Sequence, residues 1–186
     1  MKKLILASAS PRRKEILEKA GYEFEIVVSD KEGKIEKNAD PKKIAVRFAC
    51  RKAEDVFART GGDAVVLGAD TVVCLNGEIL GKPANEEEGT EMLKKLSGKE
   101  HEVVTGYCLI SRDMRLSGHV LTKVKFAELS DEKIEEYVKS GLCMGKAGAY
   151  GIQDGYGLAE RIEGDYDNVV GLPIAAIDPE LKEFLK

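Results

Sequence analysis

The most apolar stretch of the chain, residues 64–75, is the feature that most constrains its fold. A run of this kind is typical of a buried strand. Asn76-Gly77 follows directly, and this dipeptide is a strong signal for a two-residue hairpin turn. The sequence therefore predicts a buried strand that turns back through residues 78–80 towards Gly81-Lys82-Pro83.

Asp70 interrupts the middle of this apolar run. A buried carboxylate is costly unless it is paired, hydrogen-bonded or bound to a metal ion. One interpretation is a structural aspartate that caps a nearby loop where Gly68 bends the strand. The interpretation that we favour is a catalytic or metal-facing acid. The hairpin would also return Lys82 to the neighbourhood of Asp70.

A charged turn near the start of the chain, residues 8–13 (SASPRR), is the second informative feature. It follows a short apolar run, residues 4–7, which is typical of a buried strand. Ser10 and Pro11 predict the N-cap and the first residue of a helix. Two arginines in a first turn oppose the helix dipole, whereas an anion bound there would reverse that effect. The turn is thus either an anion-binding site or an exposed turn with two solvated arginines.

A longer helix is predicted from Asp40-Pro41 to Gly61-Gly62, with a cap and a proline at its start and glycines at its end. On a helical wheel Lys52 falls within the apolar face of this helix. A lysine there either extends its ammonium group into solvent or delivers a cation through the core side of the helix into a pocket.

Three other segments carry weaker signals. Residues 24–28 are predicted to form a strand, and residues 164–168 a tight turn. Residues 145–157 are rich in glycine, which lets backbone N–H groups approach a ligand closely, but they lack the ending of a Walker A loop. His101 and His119 have no partners at metal-ligand spacing and are predicted to lie on the surface.

The composition excludes some classes of function. A chain of 186 residues is long enough for one sizeable core and too short for two independent enzymes. Its net charge of −4 argues against nucleic-acid binding, which needs a basic face. Its four cysteines are widely spaced, as in proteins of reducing compartments, and no apolar run reaches the ~18 residues of a membrane span. We therefore expect a cytoplasmic protein without nucleic-acid or membrane partners.

Five blocks of the sequence together resemble the Maf family of nucleoside triphosphate pyrophosphatases, which are related in fold to the inosine triphosphate pyrophosphatases. The blocks occur in the family's order and span nearly the whole chain. They are residues 8–13 (SASPRR), 68–73 (GADTVV), 81–83 (GKP), 146–153 (KAGAYGIQ) and 164–173 (GDYDNVVGLP).

The resemblance implies a fold, an activity and an assembly. The implied fold is α/β, with an elongated mixed β-sheet, flanking helices and a cleft between two lobes, and we expect one Maf-like domain over residues 1–186. The implied activity is hydrolysis of a nucleoside triphosphate to the monophosphate and pyrophosphate, assisted by a divalent metal cation (Mg²⁺ or Mn²⁺). Members of the family are usually homodimers.

The resemblance also implies catalytic residues. Asp70 matches the family's proton acceptor, and Lys52 and Lys82 match its active-site lysines. The family often carries a Glu-Glu pair in the loop after the second strand, where this chain has Glu32-Gly33. We expect Glu32 to serve without a second glutamate beside it. Its expected roles are that of a catalytic residue and, together with Asp70, that of a metal ligand.

Substrate binding is expected to involve the charged turn and the glycine-rich segment. Arg12, Thr71 and Gln153 match the positions that mark the branch of the family acting on dTTP and UTP. The Gln153 amide offers a donor and an acceptor, which match the N3–H and O4 shared by uracil and thymine. The alternative is that this amide tethers its own loop. The remaining expected substrate ligands are Ser8, Ser10 and Arg13.

The function expected from these features is hydrolysis of dTTP and UTP, with modified pyrimidine nucleotides as further candidates, in house-cleaning of the nucleotide pool. A rival function from another class is a nucleotide-binding regulator of cell division and septum formation that binds triphosphates without significant turnover. An assay of pyrophosphate release separates these two functions.

Overall fold

A mixed β-sheet forms the centre of the molecule. The protein is described by a computed structural model over residues 2–31 and 33–186. Over these residues the strands are β1 (Lys3–Leu6), β2 (Glu25–Ile26), β3 (Ala64–Leu75), β4 (Glu78–Leu80), β5 (Glu100–Ile110), β6 (Arg115–Phe126) and β7 (Ala159–Glu163). Their order is β2-β1-β3-β5-β6-β7, and β4 pairs with β3. The strand β1 runs parallel to β2 and β3, and the other pairs are antiparallel.

Helices flank this sheet, which confirms the predicted α/β class. In the part of the chain that the structure describes, none of them has the length and apolarity needed to cross a bilayer. They are α1 (Pro11–Lys19), α2 (Pro41–Thr60), α3 (Glu86–Leu96), α4 (Asp131–Lys139), α5 (Tyr166–Val170) and α6 (Ile174–Phe184).

The apolar run that the sequence singled out forms the interior strand β3. It lies between β1 and β5, and all of its residues are buried except Asp70 and Thr71, which are half-buried. The hairpin at Asn76-Gly77 is confirmed, because β4 returns antiparallel to β3 with Leu80 opposite Val73. The strand thus carries two polar side chains to the middle of an otherwise apolar layer.

Helix α2 packs unusually closely on the sheet. It begins at Pro41, and the Asp40 side chain accepts a hydrogen bond from the N–H of Lys42, as its sequence predicted. A Cβ added to Gly68 of β3 would lie 2.3 Å from the carbonyl oxygen of Ala49. Glycine therefore removes the steric barrier to contact between the helix backbone and the strand. This close approach determines how far side chains of α2 reach across β3.

Two segments differ from their predictions. Only Glu25–Ile26 of the strand expected over residues 24–28 pairs with β1. Residues 164–168 begin a helix rather than forming only a turn, because the Asp165 side chain accepts hydrogen bonds from the N–H groups of Asp167 and Asn168. An N-cap of this kind satisfies backbone donors that would otherwise be unpaired at the start of a helix.

His101 is buried, so the prediction of a surface position was wrong for this residue, whereas His119 is exposed as expected. His101 is only 2% exposed and lies opposite the buried Val124 of β6. Its Nε2 lies 2.7 Å from the Tyr150 hydroxyl, and its ring packs edge-on against Phe126. The reason is its register on β5, which turns the side chain towards the core.

Acidification is expected to destabilise the protein through His101. Burial lowers the pKa of His101 to about 4, from its ordinary value of 6.5. Between these values the unfolded chain binds more protons than the folded one, so the free energy of unfolding decreases as the pH falls from about 6.5 to about 4, by about 3 kcal/mol. Chemical denaturation at about pH 7 and about pH 4 measures this loss.

Two glutamine variants isolate the contribution of His101. His101→Gln keeps a polar group near Tyr150 and does not titrate, so it should lose less stability on acidification than the wild type. His119→Gln changes an exposed residue and should behave like the wild type. An equal loss in the wild type and in His101→Gln would contradict this account.

Candidate active site

An ion pair between β3 and α2 lies at the centre of the site. Lys52 Nζ lies 2.5 Å from Asp70 Oδ1, and the two side chains are 11% and 15% exposed. Lys52 therefore directs its ammonium group inward rather than into solvent. Within the described residues, the second oxygen of Asp70, Oδ2, has no hydrogen-bond partner, so it can meet a ligand.

Arg13 ties the charged turn to β3. Its Nε donates to the Gly171 carbonyl oxygen at 2.7 Å, Nη1 donates to Ser8 Oγ at 3.0 Å, and Nη2 donates to Thr71 Oγ1 at 3.1 Å. Burial lowers the pKa of Arg13, and the charge of Asp70 acts in the opposite direction. Each of the three nitrogens of this guanidinium thus donates one hydrogen bond within the protein, and these bonds orient Ser8 and Thr71.

The first turn of α1 has backbone donors to spare. Ser10 is at the N-cap position, as expected, but its side chain makes no capping hydrogen bond. Instead the N–H of Ser10 donates to Ser8 Oγ at 3.2 Å. Because no side chain caps this helix, its first N–H groups remain available to an anion.

Thr71 is joined to a buried network that sequence analysis missed. Its Oγ1 lies 2.8 Å from Thr105 Oγ1, and the Thr105 hydroxyl donates to the Asn168 carbonyl oxygen at 2.9 Å. The fully buried Asn168 side chain accepts from the N–H of Thr105 and donates to Val103 O and Thr122 Oγ1. The only sequence signal for Asn168 was its place in the block of residues 164–173.

A second ion pair holds the glycine-rich segment. Lys146 Nζ lies 2.5 Å from Asp154 Oδ2, with both side chains less than a tenth exposed (9% and 8%). The Tyr137 hydroxyl donates to the same oxygen at 2.6 Å and accepts from the N–H of Gly151. Burial and the hydrogen bond to Asp154 raise the pKa of Tyr137. These contacts, also missed by sequence analysis, fix the loop that carries Gln153.

All of these elements meet at one cavity of about 400 Å³. Among the described residues that line it, Asp70 is the single carboxylate, and the charge is otherwise positive. Such a cavity attracts a small polyanion. The cationic residues of its wall are Arg12, Arg13, Lys52, Lys82 and Lys146.

The cavity brings together every expected site residue that the structure describes. Glu32, which we expected to serve in catalysis and metal binding, lies outside the described residues. Gln153 is exposed and its side-chain amide makes no hydrogen bond to a described residue, so nothing in this part of the chain supports a tether. The expected residues in the cavity wall are Ser8, Ser10, Arg12, Arg13, Lys52, Asp70, Thr71, Lys82 and Gln153.

The described residues suit a metal ion that is held partly by the protein and partly by a bound molecule. They contain no group of three or more His, Cys, Asp or Glu side chains that could hold a metal by themselves. Mg²⁺ is commonly held by one or two carboxylates together with substrate phosphates and water. Asp70 supplies one such carboxylate in a cavity suited to polyanions, so the donor set fits a cation bound between protein and phosphate.

Comparisons with known proteins agree on a family. The profile described as Maf-like protein matches residues 3–184. The dTTP/UTP pyrophosphatase of Pyrococcus furiosus is 54% identical over 182 residues, which cover 95% of this chain and 93% of the relative. The dTTP/UTP pyrophosphatase of Bacillus cereus (strain G9842) is 51% identical over 185 residues, which cover 99% of this chain and 96% of the relative.

A solved structure, that of the Staphylococcus aureus Ham1 protein, aligns with a TM-score of 0.47 and 15% identity over 68% of this chain and 73% of that chain. The family assignment rests on the sequence comparisons, because the profile and the relatives each cover nearly the whole chain. This chain belongs to the Maf-like protein family.

Proposed function

We propose that this chain hydrolyses dTTP and UTP to the nucleoside monophosphate and pyrophosphate, as house-cleaning of the nucleotide pool. The observation that carries the proposal is the cavity in which the Lys52–Asp70 pair is surrounded by further cationic side chains. The substrate class comes from relatives that are dTTP/UTP pyrophosphatases and share about half of their residues with this chain.

The triphosphate is bound at the start of α1. The uncapped N–H groups of the first turn and the Arg12 guanidinium, which lines the cavity, face the phosphates from one side. Lys82 lines the cavity after the hairpin. Fixed positive charge of this kind stabilises pyrophosphate as negative charge shifts onto it in the transition state.

Asp70 is the proposed general base. Lys52 occupies Oδ1, so Oδ2 is the oxygen that orients a water molecule and takes its proton. The water oxygen bonds to the α-phosphorus while the bond to the bridging oxygen breaks, and pyrophosphate leaves with the electron pair. A divalent cation (Mg²⁺ or Mn²⁺), held by Asp70 and, as we propose, by Glu32, would neutralise phosphate charge.

Gln153 is the proposed reader of the pyrimidine edge, and Gln153→Glu tests this role. The carboxylate has no amide donor for O4, so kcat/KM for dTTP and UTP should fall about tenfold or more. CTP presents an amino donor at that position and should lose less or even gain. Measurement of kcat/KM for UTP and CTP on both enzymes decides the matter, and an equal fall for both nucleotides would remove Gln153 from base recognition.

A substrate profile tests the proposed function itself. Pyrophosphate release is measured over normal and modified triphosphates with Mg²⁺ and with Mn²⁺, and dTTP and UTP should be the preferred normal substrates. Calorimetry on the same preparation measures binding. Tight binding of dTTP without pyrophosphate release would overturn the enzymatic proposal in favour of a nucleotide-binding regulator of cell division.

We also propose that residues 1–186 form one domain that works as a cytoplasmic homodimer without nucleic-acid or membrane partners. The continuous sheet from β2 to β7 supports a single domain. The four free cysteines suit a reducing compartment, and the net charge of −4 disfavours a nucleic-acid partner. Sedimentation tests the dimer, and DNA retention at moderate salt tests the absence of a nucleic-acid partner.

A further inference from the structure

We infer that Thr105 and Asn168 fix the direction of the Thr71 hydroxyl, so that Thr71 offers the nucleoside of the substrate a hydrogen-bond acceptor and not a donor. Thr71 lines the cavity, whereas Thr105 and Asn168 lie behind it and act through Thr71. They are therefore positioning residues. The inference rests on the proposed pyrophosphatase activity and concerns how that activity selects its nucleotides.

The direction of the Thr71 hydroxyl follows from which atoms of this chain of hydrogen bonds can donate a hydrogen. A carbonyl oxygen only accepts, so the Thr105 hydroxyl uses its single hydrogen on Asn168 O, 2.9 Å away. Thr105 Oγ1 can then only accept from Thr71, at 2.8 Å, and Thr71 uses its own hydrogen there. Arg13 Nη2 occupies one lone pair of Thr71 at 3.1 Å. Thr71 is left with one lone pair and no hydrogen for a ligand.

The end of this chain of hydrogen bonds is held rigidly. Asn168 is 0% exposed, and its backbone N–H donates to Asp165 Oδ1 at 3.3 Å. Its carboxamide accepts a hydrogen bond from the N–H of Thr105 and donates one to the carbonyl oxygen of Val103, and both groups belong to the backbone of β5. Because Thr105 is also 0% exposed, solvent does not offer its hydroxyl a competing partner. The direction of the Thr71 hydroxyl is thus set before substrate binds.

Ser8 has the opposite polarity, although the same arginine contacts it. Ser8 Oγ accepts from the Ser10 N–H at 3.2 Å and from Arg13 Nη1 at 3.0 Å. Both lone pairs are used, and the hydroxyl hydrogen is free to donate to a phosphate oxygen. One guanidinium therefore leaves a donor at Ser8 and an acceptor at Thr71, on the wall of a single cavity.

An acceptor at Thr71 selects the nucleoside part of the ligand. Ionised phosphate oxygens only accept hydrogen bonds, so Thr71 has nothing to offer them. The donors of dTTP and UTP are the base N3–H and the sugar hydroxyls. CTP lacks the first, because its N3 is an acceptor, and a 3′-deoxy nucleotide lacks a sugar donor. The group that Thr71 would accept from is in either case a hydrogen-bond donor of the nucleoside. CTP and a 3′-deoxy nucleotide distinguish the base N3–H from the sugar hydroxyl.

The test compares Thr105→Val with Thr105→Ser. Valine removes the hydroxyl at similar volume, so the Thr71 hydrogen becomes free to turn into the cavity, and serine keeps the original order of hydrogens. If the base N3–H is the partner, the ratio of kcat/KM for UTP over CTP should fall about tenfold in Thr105→Val and stay unchanged in Thr105→Ser. If a sugar hydroxyl is the partner, the ratio of dTTP over its 3′-deoxy analogue should fall instead.

Ser8→Ala provides the matched contrast, because loss of a phosphate donor should lower kcat/KM for all nucleotides alike. Both ratios unchanged in an active Thr105→Val enzyme would overturn the inference while leaving the proposed function intact. A wild type that releases no pyrophosphate from UTP or dTTP would overturn the proposed function instead.

A second variant keeps the test decisive if Thr105→Val fails to fold. Thr71→Val removes the acceptor itself at a half-buried position. In this variant one of the two kcat/KM ratios, UTP over CTP or dTTP over its 3′-deoxy analogue, must then fall about tenfold. A folded, active Thr71→Val enzyme with both ratios intact would overturn the inference.

Discussion

Asp70→Asn is expected to lower kcat for dTTP and UTP by about 10²–10⁴-fold while the protein stays folded. Asparagine keeps the shape of the side chain and can still accept from Lys52, which lies 2.5 Å from Oδ1 in the native protein. It cannot take a proton from water, so the chemical step should slow and substrate binding should change less. Rates of pyrophosphate release at saturating nucleotide measure kcat, and thermal melts measure folding.

Asp63→Asn is the matched control, because Asp63 is exposed just before β3 and does not line the cavity. This variant should keep wild-type kinetics. Retention of more than roughly a tenth of the wild-type kcat in Asp70→Asn would remove Asp70 from the role of base, since a positioned base contributes about 10² or more.

Lys52→Met is expected to reduce both activity and stability. Methionine packs well on the apolar face of α2, but it leaves Asp70, whose side chain is 15% exposed, without its ion-pair partner. The free energy of unfolding should fall by about 1–3 kcal/mol. Displacement of the base from its productive position should lower kcat/KM by about 10²-fold. Denaturant unfolding and steady-state kinetics provide the two measurements.

The double variant Lys52→Met/Asp70→Asn separates these effects. It removes the unpaired charge, so it should be more stable than Lys52→Met alone and remain inactive. Lys43→Met changes an exposed lysine of the same helix and should alter stability by less than about 0.5 kcal/mol. Normal stability and normal turnover in Lys52→Met would contradict this prediction and show that Lys52 has no role in the site.

Much of the frame could be predicted from local signals. The strand β3 follows from one apolar run, its hairpin from Asn76-Gly77, and α2 from Asp40-Pro41 and the paired glycines at its end. Each of these signals acts between residues close together in sequence, through backbone dihedral preferences and the pattern of apolar side chains. The length of strand β2 was overestimated because pairing across a sheet depends on a partner that is distant in sequence.

The sequence by itself identified which side chains carry charge to the site, but only the tertiary structure decided what each one does there. Arg13 and Arg12 look equivalent in sequence, and burial against Gly171 makes Arg13 an orienting group. The register of β5 buried His101, and Thr105 meets Asn168, which is 63 positions away. Each outcome depends on which donors and acceptors the fold brings within hydrogen-bond distance, because a buried polar group must find its partner wherever the chain places one.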